Sequence, residues 1–316
     1  MVRKVRSGLL SLSVALACTP SGAPSVQAPT PAPPIASPSP SAAKAPNTDS
    51  STPPADTDAG VPCGSLGCLR FRSVEAAFER VLAEKPVVLA VGEAHAQQGT
   101  EAIASTAKRF TEQLLPRLVG RARALVVELL VSDGKCGQAE QRVAEQQRPV
   151  TEHQAASNQN EFLTLAQQAS SLGIVPHPLR PTCEEYRAIT GAGAGDIDRM
   201  LLTVREASLR TLGTLLDTAP KAGQPSLLVA YGGALHNDLA PRAGREAWSF
   251  GPALRERTQG RYVELDLIVP EYVKDTESWQ AFPWYKEYQA AKHGQETLLY
   301  SPSPASFVLV FRRSSP

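Results

Sequence analysis

Pro86-Val87-Val88-Leu89-Ala90-Val91 is an unbroken apolar run, with no polar residue at either odd or even positions. A strand with one solvated face alternates apolar and polar residues. A strand without alternation needs cover on both faces, which is the condition of a parallel sheet between layers of helix. Ala124 to Val127 and Ser226 to Ala230 repeat the pattern, Gly173-Ile174-Val175 opens another strand, and Tyr262 to Ile268 and Phe307 to Phe311 supply two more. Between them, apolar residues recur at helical spacing over Val74 to Ala83, Thr100 to Val119, Asn160 to Ser171, Asp196 to Thr218 and Trp279 to Ala291, with Asp196 placed to cap its helix. Strands alternating with helices predict an α/β fold, a mostly parallel sheet flanked by helices.

The amino terminus has a different character. Arg3, Lys4 and Arg6 precede an apolar stretch from Leu9 to Ala17. That stretch is about half of the roughly 20 residues needed to span a bilayer, so residues 1–17 read as a removable signal peptide. The cut site, Ala15-Leu16-Ala17-Cys18, resembles a lipobox, with Ala15 where Leu is usual. Cys18 is then the lipidation site, and its acyl chains anchor the protein without a transmembrane helix. From Thr19 to Pro62 the chain is dominated by Pro, Ala, Ser and Thr. Too little apolar surface is available there to offset ordering entropy, so residues 18–62 read as a lipidated cysteine and a disordered tether. Drawn out as polyproline II it would reach on the order of 130 Å. Residues 63–316 form a single α/β domain, placed in the bacterial cell envelope at the outer membrane or cell surface.

With 32 basic and 31 acidic residues the chain carries no basic excess, which argues against a nucleic-acid partner. Four cysteines remain besides Cys18, an even number suited to an oxidising compartment. Cys63 and Cys68 lie close in sequence and are expected to pair, leaving Cys136 for Cys183.

In parallel sheets ligands bind at the carboxyl ends of the strands. The first strand runs into Gly92-Glu93-Ala94-His95, the second ends on Glu128, the third leads to His177 and Arg180, and the fourth runs into Tyr231-Gly232-Gly233-Ala234-Leu235-His236-Asn237-Asp238. Two imidazoles and one or two carboxylates on a common rim suit zinc, manganese or iron. His95, Glu128 and His236 are the expected metal ligands, and Glu93 a further ligand or the general base toward bound water. Arg180 is placed to pair with Glu128 or to orient a substrate carboxylate or phosphate. His153 and His293 read as solvated. No G-x-S-x-G or H-E-x-x-H occurs, which disfavours a serine hydrolase or a zincin.

The two G-x-x-H motifs, Gly92-Glu93-Ala94-His95 and Gly233-Ala234-Leu235-His236, with Glu128 on the strand between, resemble the superfamily of Tiki/TraB-type proteases, ChaN-type haem-binding lipoproteins and erythromycin esterases. The Gly-Glu-x-His form and the lipoprotein signal are nearest the ChaN-type branch, over roughly residues 74–238. Ala96-Gln97 departs from the Asp or Asn that usually follows the first His there. The resemblance implies either a metal-dependent hydrolase of peptide or ester bonds, acting on a small-molecule or peptide ligand, or a haem- or iron-binding lipoprotein without catalysis. Haem would take an axial ligand from His95, His236 or Tyr231. A third reading is a degenerate scaffold that only binds a partner. Cys18→Ala is expected to release the protein from membranes, checked by salt-washed fractionation; retention of the variant would exclude the acyl chains as the anchor.

Overall fold

A computed structural model describes residues 15–17, 59–131, 134–151, 154–193, 197–290 and 296–314. Cys18, most of the leader and the tether lie outside the described residues, as do His153, His293 and Asp196.

The fold is α/β, built on one mostly parallel sheet. Its strands in chain order are β1 (Ala15–Ala17), β2 (Val61–Pro62), β3 (Leu69–Phe71), β4 (Val88–Glu93), β5 (Ala122–Val131), β6 (Val175–Leu179), β7 (Leu227–Gly233), β8 (Tyr262–Ile268), β9 (Thr297–Ser303) and β10 (Ser306–Val310). The spatial order is β1-β5-β7-β4-β8-β10-β9-β3-β2, with β6 also paired to β5. From β6 through β10 the neighbours are parallel; β9, β3 and β2 extend the sheet antiparallel. The central strand β4 is buried at all six positions, as its sequence requires.

Side chains alternate between two cores. On one face Leu89, Val91, Leu125, Val127, Val229, Tyr231, Leu265 and Leu267 pack with residues of α1 (Val74–Leu82) and α4 (Asn158–Ser171), and with the segment after α2 (Thr106–Arg109). On the other, Val88, Ala90, Ala124, Val126, Leu228, Ala230 and Tyr262 meet α5 (Cys183–Gly191), α6 (Asp198–Asp217) and α7 (Gly251–Arg257), with Val143 of α3 (Gln138–Thr151). A third, aromatic cluster joins Trp279 of α8 (Glu277–Gln280) and Trp284, Tyr285 and Tyr288 of α9 (Pro283–Ala290) to Tyr300 and Cys68.

Three helices differ from their sequence pattern. The stretch expected as one helix from Thr100 to Val119 is α2 followed by a π turn at Phe110–Leu114 and a 3-10 turn at Leu115–Leu118. Pro116 lacks the amide a continuing α-helix needs. Pro283 likewise divides the expected Trp279–Ala291 helix into α8 and α9. Ile197 occupies the cap position of α6, without a side-chain cap.

Disulfides join Cys63 to Cys68 and Cys136 to Cys183, the pairing expected from sequence. They span very different lengths of chain, 5 and 47 residues. In the chain-entropy view, losing the longer closure costs about 4 kcal/mol and the shorter about 2 kcal/mol. Cys136→Ser/Cys183→Ser is therefore expected to be the more destabilised pair in urea titration, and equal losses would contradict the entropic account.

Candidate functional site

Strands β4, β5, β7 and β8 and the turns that leave them hold a dense group of buried polar residues. Glu93, His95, Glu128, His236, Asn237, Glu264 and Asp266 are all under a tenth exposed. Glycines make this crowding possible by lacking a side chain, and neither Gly92 nor Gly232 has a positive φ. A Cβ on Gly232 would lie 2.3 Å from Glu128 Oε2, and one on Gly92 would lie 2.5 Å from Asn237 Oδ1. Gly92 of the first motif and Gly232, just ahead of the second, thus serve close approach rather than a special turn conformation.

The structure divides the predicted residues into two groups. Glu93 continues the parity of Leu89 and Val91 and belongs to one face; Glu128 continues that of Ala124 and Val126 and belongs to the other. On the first face His95 Nδ1 lies 2.6 Å from Glu93 Oε1, and the Tyr231 hydroxyl donates to Glu93 Oε2. Burial, and then the charge of Glu93, push the Tyr231 phenol well above its ordinary pKa, so it stays a donor. With both oxygens of Glu93 occupied, its geometry is that of a carboxylate orienting His95, rather than the free base or ligand expected from sequence. The His95 ring meets Phe162 edge-on at 5.6 Å, and Phe162 meets Tyr231 at 5.8 Å.

On the second face His236 Nδ1 lies 2.9 Å from the carbonyl of Trp248, which can only accept, so Nδ1 carries a proton and Nε2 faces the other way. That nitrogen is 3.7 Å from Glu128 Oε1, while Glu128 Oε2 accepts the amide of Gly233 at 2.7 Å. Glu128 Oε1, His236 Nε2 and Asn237 Oδ1 are each buried without a hydrogen-bond partner. All three residues line one small cavity of about 10 Å³, closed on its apolar side by Val91, Val126 and Phe250. That is room for roughly one water-sized particle.

The expected trio of His95, Glu128 and His236 does not converge. Among the described residues, the one group of three His, Cys, Asp or Glu donors within 4.8 Å of one another is Asp238, Glu264 and Asp266. Arg180 is exposed, and Glu128 turns to Gly233 and His236 instead of to it. His177, half-buried on β6, has its pKa lowered by burial and by Arg123; it lines neither the cavity nor the cleft described next.

That cleft, about 330 Å³, opens beyond β4 and β8. Glu93, His95 and Asp266 lie at its polar end, with walls that include Ile268, Tyr272, Trp279 and Phe282. Asp266 accepts from Asn237 Nδ2 at 3.0 Å, and Glu264 from the Leu239 amide at 2.7 Å and Ser306 Oγ at 3.2 Å. Asn237, Glu264 and Asp266 were not singled out from sequence. Val263-Glu264-Leu265-Asp266-Leu267 carries the signal for two of them: carboxylates at alternate positions of an otherwise apolar strand must be buried or line a site.

Comparison of the chain with protein-family models, curated proteins and solved structures finds no match.

Burial pushes the Glu264 carboxyl up to about 7, only partly offset by the Leu239 amide, and Asp238 adds to the rise. A folded-state pKa raised above the unfolded value means the native state binds this proton more tightly. Its contribution to stability is complete below about pH 4.5 and is lost as pH rises through 7, at up to about 1.4 kcal/mol per pH unit. Melting temperatures from pH 5 to 8 are expected to fall more steeply for the parent than for Glu264→Gln, and parallel curves would refute this.

Proposed function

We propose that this chain is a cell-envelope lipoprotein with a metal-dependent hydrolase site, in which His236, Glu128 and Asn237 hold a divalent transition-metal ion. The observation that carries the reading is that His236, Glu128 and Asn237, each with a buried polar atom lacking a hydrogen-bond partner, line one cavity with room for one particle. A nitrogen and two oxygens in that arrangement suit zinc, manganese or iron. His236 Nε2 and Glu128 Oε1, 3.7 Å apart, would be two of the atoms that hold it. The groups behind them fit as well: the Trp248 carbonyl fixes the His236 ring, and the Gly233 amide fixes Glu128. Sequence reasoning offered His95 as the third ligand; this reading takes Asn237 in its place.

A divalent ion held by these residues would supply Lewis acidity at the strand ends. His95 is held by Glu93 with its proton on Nδ1, so Nε2 is the atom that takes a proton from the attacking water and returns it to the leaving group. Tyr231 keeps Glu93 oriented by its second oxygen and borders the cavity too, which couples the two groups. In the overall reaction water adds across an ester or amide, giving an acid and an alcohol or amine. The paired G-x-x-H motifs and their resemblance to the Tiki/TraB, ChaN-type and erythromycin esterase superfamily agree with this reading.

A second reading, a ChaN-type haem-binding lipoprotein, draws on the aromatic walls of the cleft and on His95 at its polar end. Elemental analysis and absorption spectra of the purified chain separate the two. About one equivalent of transition metal is expected in the parent, with at least a tenfold loss of affinity in His236→Ala and Asn237→Leu, and retention in Asn237→Asp. Hydrolysis of ester or peptide probes should fall in parallel. A Soret band on haem addition, with no metal otherwise bound, would replace the hydrolase by the haem reading; absence of both would leave a binding scaffold.

A further inference from the structure

Cationic side chains stand at the cleft that holds Glu93 and His95. Arg245 and Lys274 line it directly. Arg242 stands behind them, its guanidinium 4.2 Å from the centre of the Phe282 ring and donating to the carbonyl of Ser278 at 3.4 Å. Phe282 and Ser278 are both cleft residues. Arg242 Nη2 is buried and has no hydrogen-bond partner. Burial, and then the like charge of Arg245, lower the pKa of the Arg242 guanidinium, with Asp238 acting against them. A guanidinium with an unused buried donor, among like charges, is a demand for an anion.

Much of the remaining wall is apolar, with Ile268, Trp279, Phe282 and Trp284 among its residues. Glu93 and Asp266 also line the cleft and repel an anion, whereas Arg245 and Lys274 attract one. The side chains therefore suit a ligand with its anion against Arg245 and Lys274 and its apolar body along the aromatic wall.

We propose that the cleft binds a small anionic amphiphile, an apolar or aromatic body bearing one carboxylate, sulfonate or phosphate that Arg245 and Lys274 recognise, with the charge of Arg242 behind them. This names the substrate class for the hydrolase reading and rests on it only for the chemistry that follows binding. An ester or amide of such an acid would present its scissile carbonyl toward His95.

The test is binding to the full-length, non-lipidated Cys18→Ala chain, with two fluorescent probes of the same body. One is anilinonaphthalene sulfonate; the other is phenylnaphthylamine, its neutral counterpart without the sulfonate. The sulfonate is expected to bind about tenfold more tightly. Arg245→Gln/Lys274→Gln should remove that preference and leave the neutral probe unchanged, whereas Trp279→Ala should weaken both. Equal affinity of the two probes for the parent overturns the anion assignment, as does an unchanged sulfonate affinity in the double variant. Affinities untouched by Trp279→Ala would place the probes elsewhere and overturn the cleft as the site. Circular dichroism of each variant confirms that it is folded. Because the readout is binding alone, loss of hydrolase activity or of metal does not alter the outcome, and a failed anion preference leaves the hydrolase reading standing.

Discussion

The hydrogen bond from the Gly233 amide to Glu128 Oε2 joins two neighbouring strands through a side chain where their backbone ladder has ended. A buried carboxylate must have such a partner, because leaving it without one costs several kcal/mol. Three features depend on that bond. Gly232 must lack a Cβ, since one would occupy the position of Oε2. The other oxygen of Glu128 is turned toward His236. The chain after β7 must bend back over the strand ends, which it does with Ala234 donating to the Glu93 carbonyl and His236 to that of Gly233.

The strand ends carry two groups of polar residues that meet at Tyr231. One face carries the hydrogen-bonded chain Tyr231, Glu93 and His95; the other carries Glu128, His236 and Asn237, with the acidic group of Asp238, Glu264 and Asp266 further along. Polar groups can be this dense only because the strands around them are apolar and fully buried, which excludes competing water. The same burial raises the carboxyls of Glu264 and Asp266, and neighbouring acids raise them further.

The central strands were legible because a parallel, doubly covered strand leaves an unmistakable run, and β4, β7 and β8 lie where such runs occur. The antiparallel extension was not. β9 ends in Ser301-Pro302-Ser303, and β2 and β3 span two and three residues, too short for any period to register. α3, rich in Gln, Glu and Arg, has little apolar stripe to read. Within the site, spacing identified the histidines and carboxylates by type but not the face each one takes. That is a matter of strand parity: Glu93 and Glu128 end up on opposite sides because one continues odd positions and the other even ones. Asn237 escaped notice because an amide gains significance only when its oxygen is left without a donor.

The Cys63–Cys68 bridge has a mechanical consequence. The chain enters the domain through β2, which meets β3 at only two residue pairs on the outer edge of the sheet. Tension on the preceding segment would peel β2 away one hydrogen bond at a time, the weakest way to load a strand. Peeling stops at Cys63, because the covalent link passes force directly to Cys68 and bypasses the turn between them. Beyond that point the load falls on β3, whose three residue pairs with β9 are backed by the aromatic cluster around Trp284 and Tyr300. The bridge is in effect a strain relief, confining the give to two residues and leaving the strand ends at Glu93 and His236 undisturbed.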